Sequence, residues 1–387
     1  MSESATIKMA QMARDLKESG KDVISLSLGE PDFDTPDHIK EAAKVALDEG
    51  YTKYTPVPGL LELRKAIVAK FKRDNNLSFS PSQIVVSNGA KQCIYNLCMS
   101  LLDPGDEVII FTPYWVSYAD IVKLAGGVPV FVNSTIEDDF KINPADLKSA
   151  ITSKTKAVLF SSPCNPTGSV YTYDELEKIA EVISERKDII IFSDEIYEII
   201  NFSGKHVSIG AFDSVKDQTV TINGFSKGYS MTGWRLGYIG APEWIAAACA
   251  KIQGQVTSGA NAFGQRAAIT ALDSDQGPSI KMRDAFAKRK HLVRDLLADI
   301  PGVKINDPQG AFYLFPDISD YFGKSYGDLQ INNSEDFALF ILQEGLVGTV
   351  GGSAFGADDC IRLSYAASDE DLKEAMRRFK EACAKLT

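Results

Sequence analysis

Histidine is scarce in this chain: three occur in 387 residues, His38, His206 and His291, each in polar surroundings where exposure is expected. A histidine-based triad or zinc site is therefore not expected. The six cysteines, Cys93, Cys98, Cys164, Cys249, Cys360 and Cys383, show no CxxC or Cys/His metal spacing, so reduced thiols and no metal are expected. Basic residues are outnumbered 41 to 52, a net charge of −11. No cationic excess is available for a nucleic-acid backbone, although a local pocket can still take a small anion. No apolar run approaches membrane-spanning length, and the first residues lack a basic segment followed by an apolar one. No membrane partner or signal peptide is expected, and the expected location is the cytoplasm. A GxGxxG turn after an early strand is also missing. The glycine-rich stretch Gly351 to Gly356 lies late and reads as a loop, which leaves no nicotinamide site.

What is present is a globular composition, 44% hydrophobic and 24% charged, in a chain long enough for one large or two ordinary domains. An amphipathic helix is expected over 4–19, a short strand over Val23–Leu28, and helices over His38–Leu47 and Leu60–Phe71. Short strands then alternate with helices. Strands are expected at Ile84–Ser87, Glu107–Phe111, Val128–Val132, Ala157–Ser161, Asp188–Phe192, Val220–Asn223 and Leu236–Ile239. That rhythm predicts an α/β fold with a mostly parallel sheet covered by helices on both faces. Residues 244–297 read as largely helical. Beyond them, strands at Ala311–Phe315 and Cys360–Tyr365 and a helix over Asp369–Leu386 suggest a smaller α+β domain. The expected division is a large domain over 45–285 and a small one formed by 1–44 with 286–387.

The stretch Thr219 to Pro242, TVTINGFSKGYSMTGWRLGYIGAP, holds the most unusual residue. Lys227 lies between an apolar strand and a tight small-residue loop, with Arg235 eight positions later. A buried ammonium needs a partner or a use, and the plain alternative is a surface lysine on a hairpin. Three other strand ends carry polar residues: Asn88-Gly89-Ala90-Lys91, Ser162 to Gly168 with Asn165, and Asp194 to Tyr197. Singly, each reads equally well as a turn or a helix cap. Ligands in open α/β sheets bind outside the carboxyl ends of strands, so together they suggest one site. Its chemistry suits an aldehyde cofactor with a pyridine ring and a phosphate. Lys227 can hold the aldehyde as a Schiff base, and Asp194 can keep the ring nitrogen protonated. Asn165 and Tyr197 can donate to the ring oxygen. Gly89 and Ala90, with Ser226 and Arg235, suit the phosphate, and Trp115 offers an aromatic wall.

With these residues in hand, the chain resembles the pyridoxal-phosphate aminotransferases of fold type I, class I/II. The resemblance is carried by Gly224-Phe225-Ser226-Lys227 through Gly233-Trp234-Arg235, by Asn165-Pro166-Thr167-Gly168, Asp194-Glu195-Ile196-Tyr197 and Gly29-Glu30-Pro31-Asp32-Phe33, and it spans nearly the whole chain. It implies pyridoxal 5′-phosphate as cofactor and Lys227 as the proton shuttle between the substrate Cα and the cofactor's C4′. It implies a homodimer in which Tyr54 of the neighbouring subunit joins the phosphate site. Arg362, in CIRLSYA, matches the arginine that grips the substrate α-carboxylate, with Gly29 beside it; by itself it reads equally as an edge-strand surface arginine. The branch most resembled is that of bacterial aspartate aminotransferases, some of which also accept prephenate. In it the position of Lys91 reads the distal carboxylate of aspartate or glutamate; the plain alternative is a phosphate or solvent contact. Two positions depart from the pattern, Gly224 for a serine or threonine and Ser161 for an asparagine. The residues Met1 to Thr6 show no counterpart of a lysine linked to prephenate use, as expected if the chain is shorter than its relatives. The expected partners are amino acids and 2-oxo acids, with aspartate and 2-oxoglutarate first. An aminotransferase for prephenate or aromatic amino acids, or a lyase using the same cofactor, are the alternatives.

Overall fold

The computed structural model describes residues 5–387. Seven strands form the main sheet: β1 (Ile84–Ser87), β2 (Glu107–Phe111), β3 (Val128–Val132), β4 (Thr155–Ser161), β5 (Ile190–Asp194), β6 (Thr219–Gly224) and β7 (Gly237–Gly240). Their spatial order is β1-β7-β6-β5-β4-β2-β3. Neighbours run parallel except at β7, which is antiparallel to both β1 and β6. The Phe225–Leu236 connection holds no crossover helix, so β7 returns beside β6 in the opposite direction.

Alternation along each strand divides the apolar residues between two helical layers. Val108 and Ile110 face one layer with Ile94 and Leu97, while Ile109 and Phe111 face the other with Leu176 and Ile179. Each fully buried Leu, Ile or Val contributes about 1.5–3 kcal/mol relative to exposure, so a strand slipped by one residue would lose both layers at once. The register sets the strand ends in one row. Ser161 lies opposite Asp194, Asp194 opposite Ile222, and Gly237 between Gly224 and Ser87. The strand expected over Asp188–Phe192 begins later, at Ile190. Arg186 holds Asp188 at 2.7 Å in a surface turn, so Asp194 closes the strand instead of following it.

A second core gathers Phe312, Leu314, Phe340, Ile361 and Leu363 with Leu26. Its sheet is short: β8 (Tyr313–Leu314), β9 (Val350–Gly351) and β10 (Ile361–Ser364), in the order β9-β10-β8. The strand expected from Ala311 cannot start there because Ala311 adopts φ 58°. The strand expected over Val23–Leu28 reduces to Ile24–Ser25, paired in parallel with Val347–Gly348. Residues 244–297 form three helices, Glu243–Val256, Ala262–Asp273 and Gly277–Ala298. The first helix runs over Ala5–Glu18; its expected start at Ser4, and Met1 to Ser4 generally, lie outside the described residues. Among the described residues no helix is long and apolar enough to cross a membrane.

The helix Leu61–Lys70 ends in a π-helical turn, Phe71–Asn75. This brings Lys70 and Asn75 into a buried polar cluster behind the end of β5. Lys70 pairs with Glu198 and donates to Asn75 at 2.7 Å, and Asn75 donates to Glu198 at 2.7 Å. Glu195 accepts from Ser193 and Ser208. His206 meets Glu195 at 2.9 Å with only 7% of its side chain exposed. The expectation of an exposed His206 therefore fails: Ser203 and Lys205 beside it are exposed, but its own side chain packs into a buried network with Glu195 and Ser208. Glu195, Glu198 and His206 offer ligand atoms within 4.8 Å of one another, and Lys70, Asn75 and the two serines donate to these carboxylates.

Candidate active site

The row of strand ends opens into a cavity of about 370 Å³. Gly29, Ala90, Lys91, Trp115, Asn165, Asp194, Tyr197, Ser226, Lys227, Arg235 and Arg362 all line it. Gly89 caps the helix that begins at Ala90. Tyr54 does not line the cavity and is 99% exposed on the single chain.

Lys227 follows β6 and reaches back under the loop at Gly29, whose carbonyl accepts from its amine. Burial and the nearby Arg362 lower the amine from 10.5 to about 8. Tyr197 and Phe312 present ring faces, each with its centre 5.7 Å from the nitrogen. Sequence spacing suggested a surface hairpin as the plain alternative, and the structure excludes it.

Asp194 is 4% exposed, and burial raises its carboxyl from 3.8 to about 6. Tyr118 donates to its Oδ2 at 2.6 Å, and the backbone N–H of Ile196 donates to Oδ1 at 3.2 Å. Both bonds oppose the effect of burial, so the carboxylate is the main form at pH 7. Sequence reasoning missed Tyr118. It lies on the first turn of the helix Ser117–Leu124, three residues after Trp115, and the two rings meet edge to face at 5.5 Å. Helical spacing from the expected aromatic wall was the available signal.

By itself Arg362 reads equally as a surface arginine, and the family resemblance makes it the carboxylate-binding one. It is 1% exposed, in β10, and β9 and β8 flank it on either side. Its guanidinium donates to Asn165 Oδ1 at 2.9 Å and to the Ser27 carbonyl at 2.7 Å, while Nε has no partner. The rings of Tyr313 and Phe355 lie 4.7 and 4.9 Å from it. Because Arg362 occupies Oδ1 of Asn165, the amide N–H groups of Asn165 remain available to the cavity. Lys91 is exposed on the single chain; its amine lies 4.9 Å from the ring centre of Trp115, and partial desolvation there, then Arg235, lowers it from the ordinary value.

The helix Ala90–Leu101 begins without a side-chain cap. Gly89 holds φ 85°, and a Cβ there would lie 2.5 Å from Arg235 Nη2. A Cβ on Gly237 would lie 2.3 Å from the Ala90 nitrogen. These two glycines therefore let Arg235 and β7 close against the helix start. Arg235 itself takes a positive φ of 55° and donates to the carbonyls of Thr232 and Asn88. A non-glycine residue in that region stores strain that its surroundings must hold in place. Ser226 completes the cradle from the lysine loop.

The sequence description of aminotransferase class I and II matches residues 21–379. The chain belongs to the class I and II aminotransferases. The aspartate aminotransferase of Bacillus subtilis is 48% identical over 97% of this chain and 95% of its own. The aspartate/prephenate aminotransferase of Cereibacter sphaeroides is 46% identical over 99% and 97%. The crystal structure of the aspartate aminotransferase from Rhizobium meliloti superposes with a TM-score of 0.97 at 40% identity, covering 100% of this chain and 98% of that one. The protein is thus a pyridoxal-phosphate-dependent aminotransferase with the type I fold. The cavity fits that cofactor. An uncapped helix start beside a guanidinium suits a phosphate, and a half-buried amine and a buried carboxylate suit the aldehyde and the ring nitrogen.

Proposed function

We propose that this aminotransferase moves the amino group of L-aspartate to 2-oxoglutarate, giving oxaloacetate and L-glutamate in two alternating half-reactions. The observation that carries the reading is a pair of cations, Arg362 and Lys91, opening on the same cavity as the amine of Lys227. A dicarboxylate held at both ends needs two such charges. The names of the Bacillus subtilis and Cereibacter sphaeroides relatives support aspartate as donor.

When bound, pyridoxal phosphate supplies an aldehyde and a protonatable ring that withdraws electrons from the substrate Cα. Lys227 is the amine that holds the aldehyde and, once displaced, takes the Cα proton. In the cofactor-free protein this amine is lowered to about 8, so part of it is unprotonated at neutral pH and able to react with the aldehyde. Asp194 keeps the ring nitrogen protonated. Asn165 and Tyr197 would donate to the ring oxygen, and Trp115 would supply an aromatic wall for the ring. Gly89, Ala90, Ser226 and Arg235 hold the phosphate, joined by Tyr54 from a second copy of the chain; Tyr54 and Arg235 are both exposed on the single chain. Arg362 and the backbone at Gly29 grip the α-carboxylate, and Lys91 reads the distal one. The division into 45–285 and 1–44 with 286–387 belongs to the same proposal; the core around Phe312 and Phe340 draws mostly on 286–387, with Tyr197, Ile200 and Met282 joining it from the larger part. A cytoplasmic homodimer belongs to the proposal as well, in keeping with six unpaired cysteines.

A second reading, prephenate or aromatic donors, is favoured by the apolar side chains of Ile7, Leu28, Val116 and Ile196 on the cavity wall and by the name of the Cereibacter relative. A donor panel on the wild type and Lys91→Ser decides. The variant should lose roughly 10- to 100-fold in kcat/KM for aspartate and glutamate, the worth of a hydrogen bond to a charged group, and keep its rate with phenylalanine. An equal loss for all donors would remove Lys91 from the specificity role.

A further inference from the structure

Tyr313 lines the cavity from β8, a strand far from the lysine loop in sequence, and touches both ends of the site. Its hydroxyl lies 2.7 Å from the hydroxyl of Tyr197. Its ring lies 4.7 Å from the Arg362 guanidinium. It is fully buried, as is Arg362 to within 1%. A Cβ on Gly29 would lie 2.5 Å from its oxygen, so this glycine leaves room for the hydroxyl.

We infer that Tyr313 is a positioning residue for both halves of the reaction site, orienting the Tyr197 hydroxyl through its own and holding the Arg362 guanidinium on its ring face. The inference rests on the roles proposed for Tyr197 and Arg362. Each phenol has one proton. For Tyr197 to donate into the cavity, its oxygen must accept from Tyr313. A cation over the Tyr313 ring draws electron density from its oxygen, which makes Tyr313 the better donor of the two. Burial raises the Tyr313 phenol above its ordinary value, and Arg362 then Tyr197 oppose that rise. A chain of two such bonds polarises the second, so Tyr313 strengthens the bond that Tyr197 makes. The same ring, with Phe355 at 4.9 Å, gives the guanidinium a fixed slot. The ring contacts add to the two hydrogen bonds that Arg362 makes to Asn165 and Ser27.

Two variants separate the functions. Tyr313→Phe removes the hydroxyl and keeps the ring; Tyr313→Leu removes both. The readouts are the pH midpoint of the visible absorbance of the cofactor-loaded enzyme, and KM against kcat for aspartate. Tyr313→Phe should raise the midpoint by roughly half a pH unit, the scale of one neutral hydrogen bond transmitted through another, with little change in KM. Tyr313→Leu should raise the midpoint equally and increase KM roughly 5- to 30-fold, the range of a desolvated cation–π contact. A Tyr313→Phe midpoint equal to wild type, while Tyr197→Phe moves it, overturns the hydroxyl half of the inference alone. An unchanged KM in Tyr313→Leu overturns the Arg362 half. A Tyr197→Phe midpoint that stays at the wild-type value overturns the Tyr197 role and the hydroxyl half with it.

Discussion

Replacing Asp194 with Asn should make the cofactor-free protein more stable at neutral pH. Burial raises this carboxyl from 3.8 to about 6. A folded-state value above the unfolded one means that the folded protein binds more protons between these limits, so stability falls as pH rises through them. Each tenfold change in proton affinity is worth about 1.4 kcal/mol, so the ionised carboxylate costs the cofactor-free protein about 3 kcal/mol above pH 6. Asparagine keeps an acceptor for the 2.6 Å bond from Tyr118 but adds an N–H₂ group without a partner, which costs about 1–3 kcal/mol. The net expectation is a gain of about 1 kcal/mol at pH 7.5 that becomes a loss near pH 4.5. Thermal melts of the cofactor-free proteins at these two pH values measure it. With pyridoxal phosphate bound the order should reverse at pH 7.5, because the variant then lacks the anion opposite the ring nitrogen. A stability difference that does not change with pH would refute the reasoning, whatever its sign.

Gly237→Ala should weaken pyridoxal phosphate binding at least roughly tenfold, the worth of one hydrogen bond to a charged group, because its Cβ would lie 2.3 Å from the Ala90 nitrogen. Equilibrium dialysis measures this, and unchanged affinity would remove the helix start from the phosphate site. Lys70→Ala should destabilise the protein by roughly 3–5 kcal/mol in urea titrations, since it leaves Glu198 buried without its cation. The double variant Lys70→Met with Glu198→Leu should lose much less than Lys70→Met alone, and an equal or greater loss would contradict the paired-charge account.

The strand-end residues were legible because each is announced locally. A short β-branched run gives way to glycine, asparagine or proline, and the α/β rhythm sends such ends to one edge. Lys227, Asp194 and Asn165 reach the cavity by that rule alone. Tyr313 was not legible as a site residue, and Tyr118 only through its spacing from Trp115, because what matters for both is register and packing across distant segments. Tyr118 meets Asp194 across 76 residues of chain and Tyr313 meets Tyr197 across 116, and neither lies in a turn that marks it. Composition misled at His206. Its polar neighbours suggest solvent, whereas Glu195, Ser208 and Asn75 form a buried network made possible by the π-helical turn at Phe71–Asn75. The strand at Asp188 was placed too early because periodicity fixes which residues are apolar, not where the ladder of hydrogen bonds begins.

The most direct test of the account is the absorbance spectrum of the purified, pyridoxal-phosphate-loaded protein during half-reactions. Aspartate alone should discharge the yellow colour, 2-oxoglutarate should then restore it, and Lys227→Ala should do neither at a measurable rate. A Lys227→Ala protein that cycles at the wild-type rate, or a wild-type spectrum indifferent to aspartate, would contradict the assignment of Lys227 and of the donor respectively.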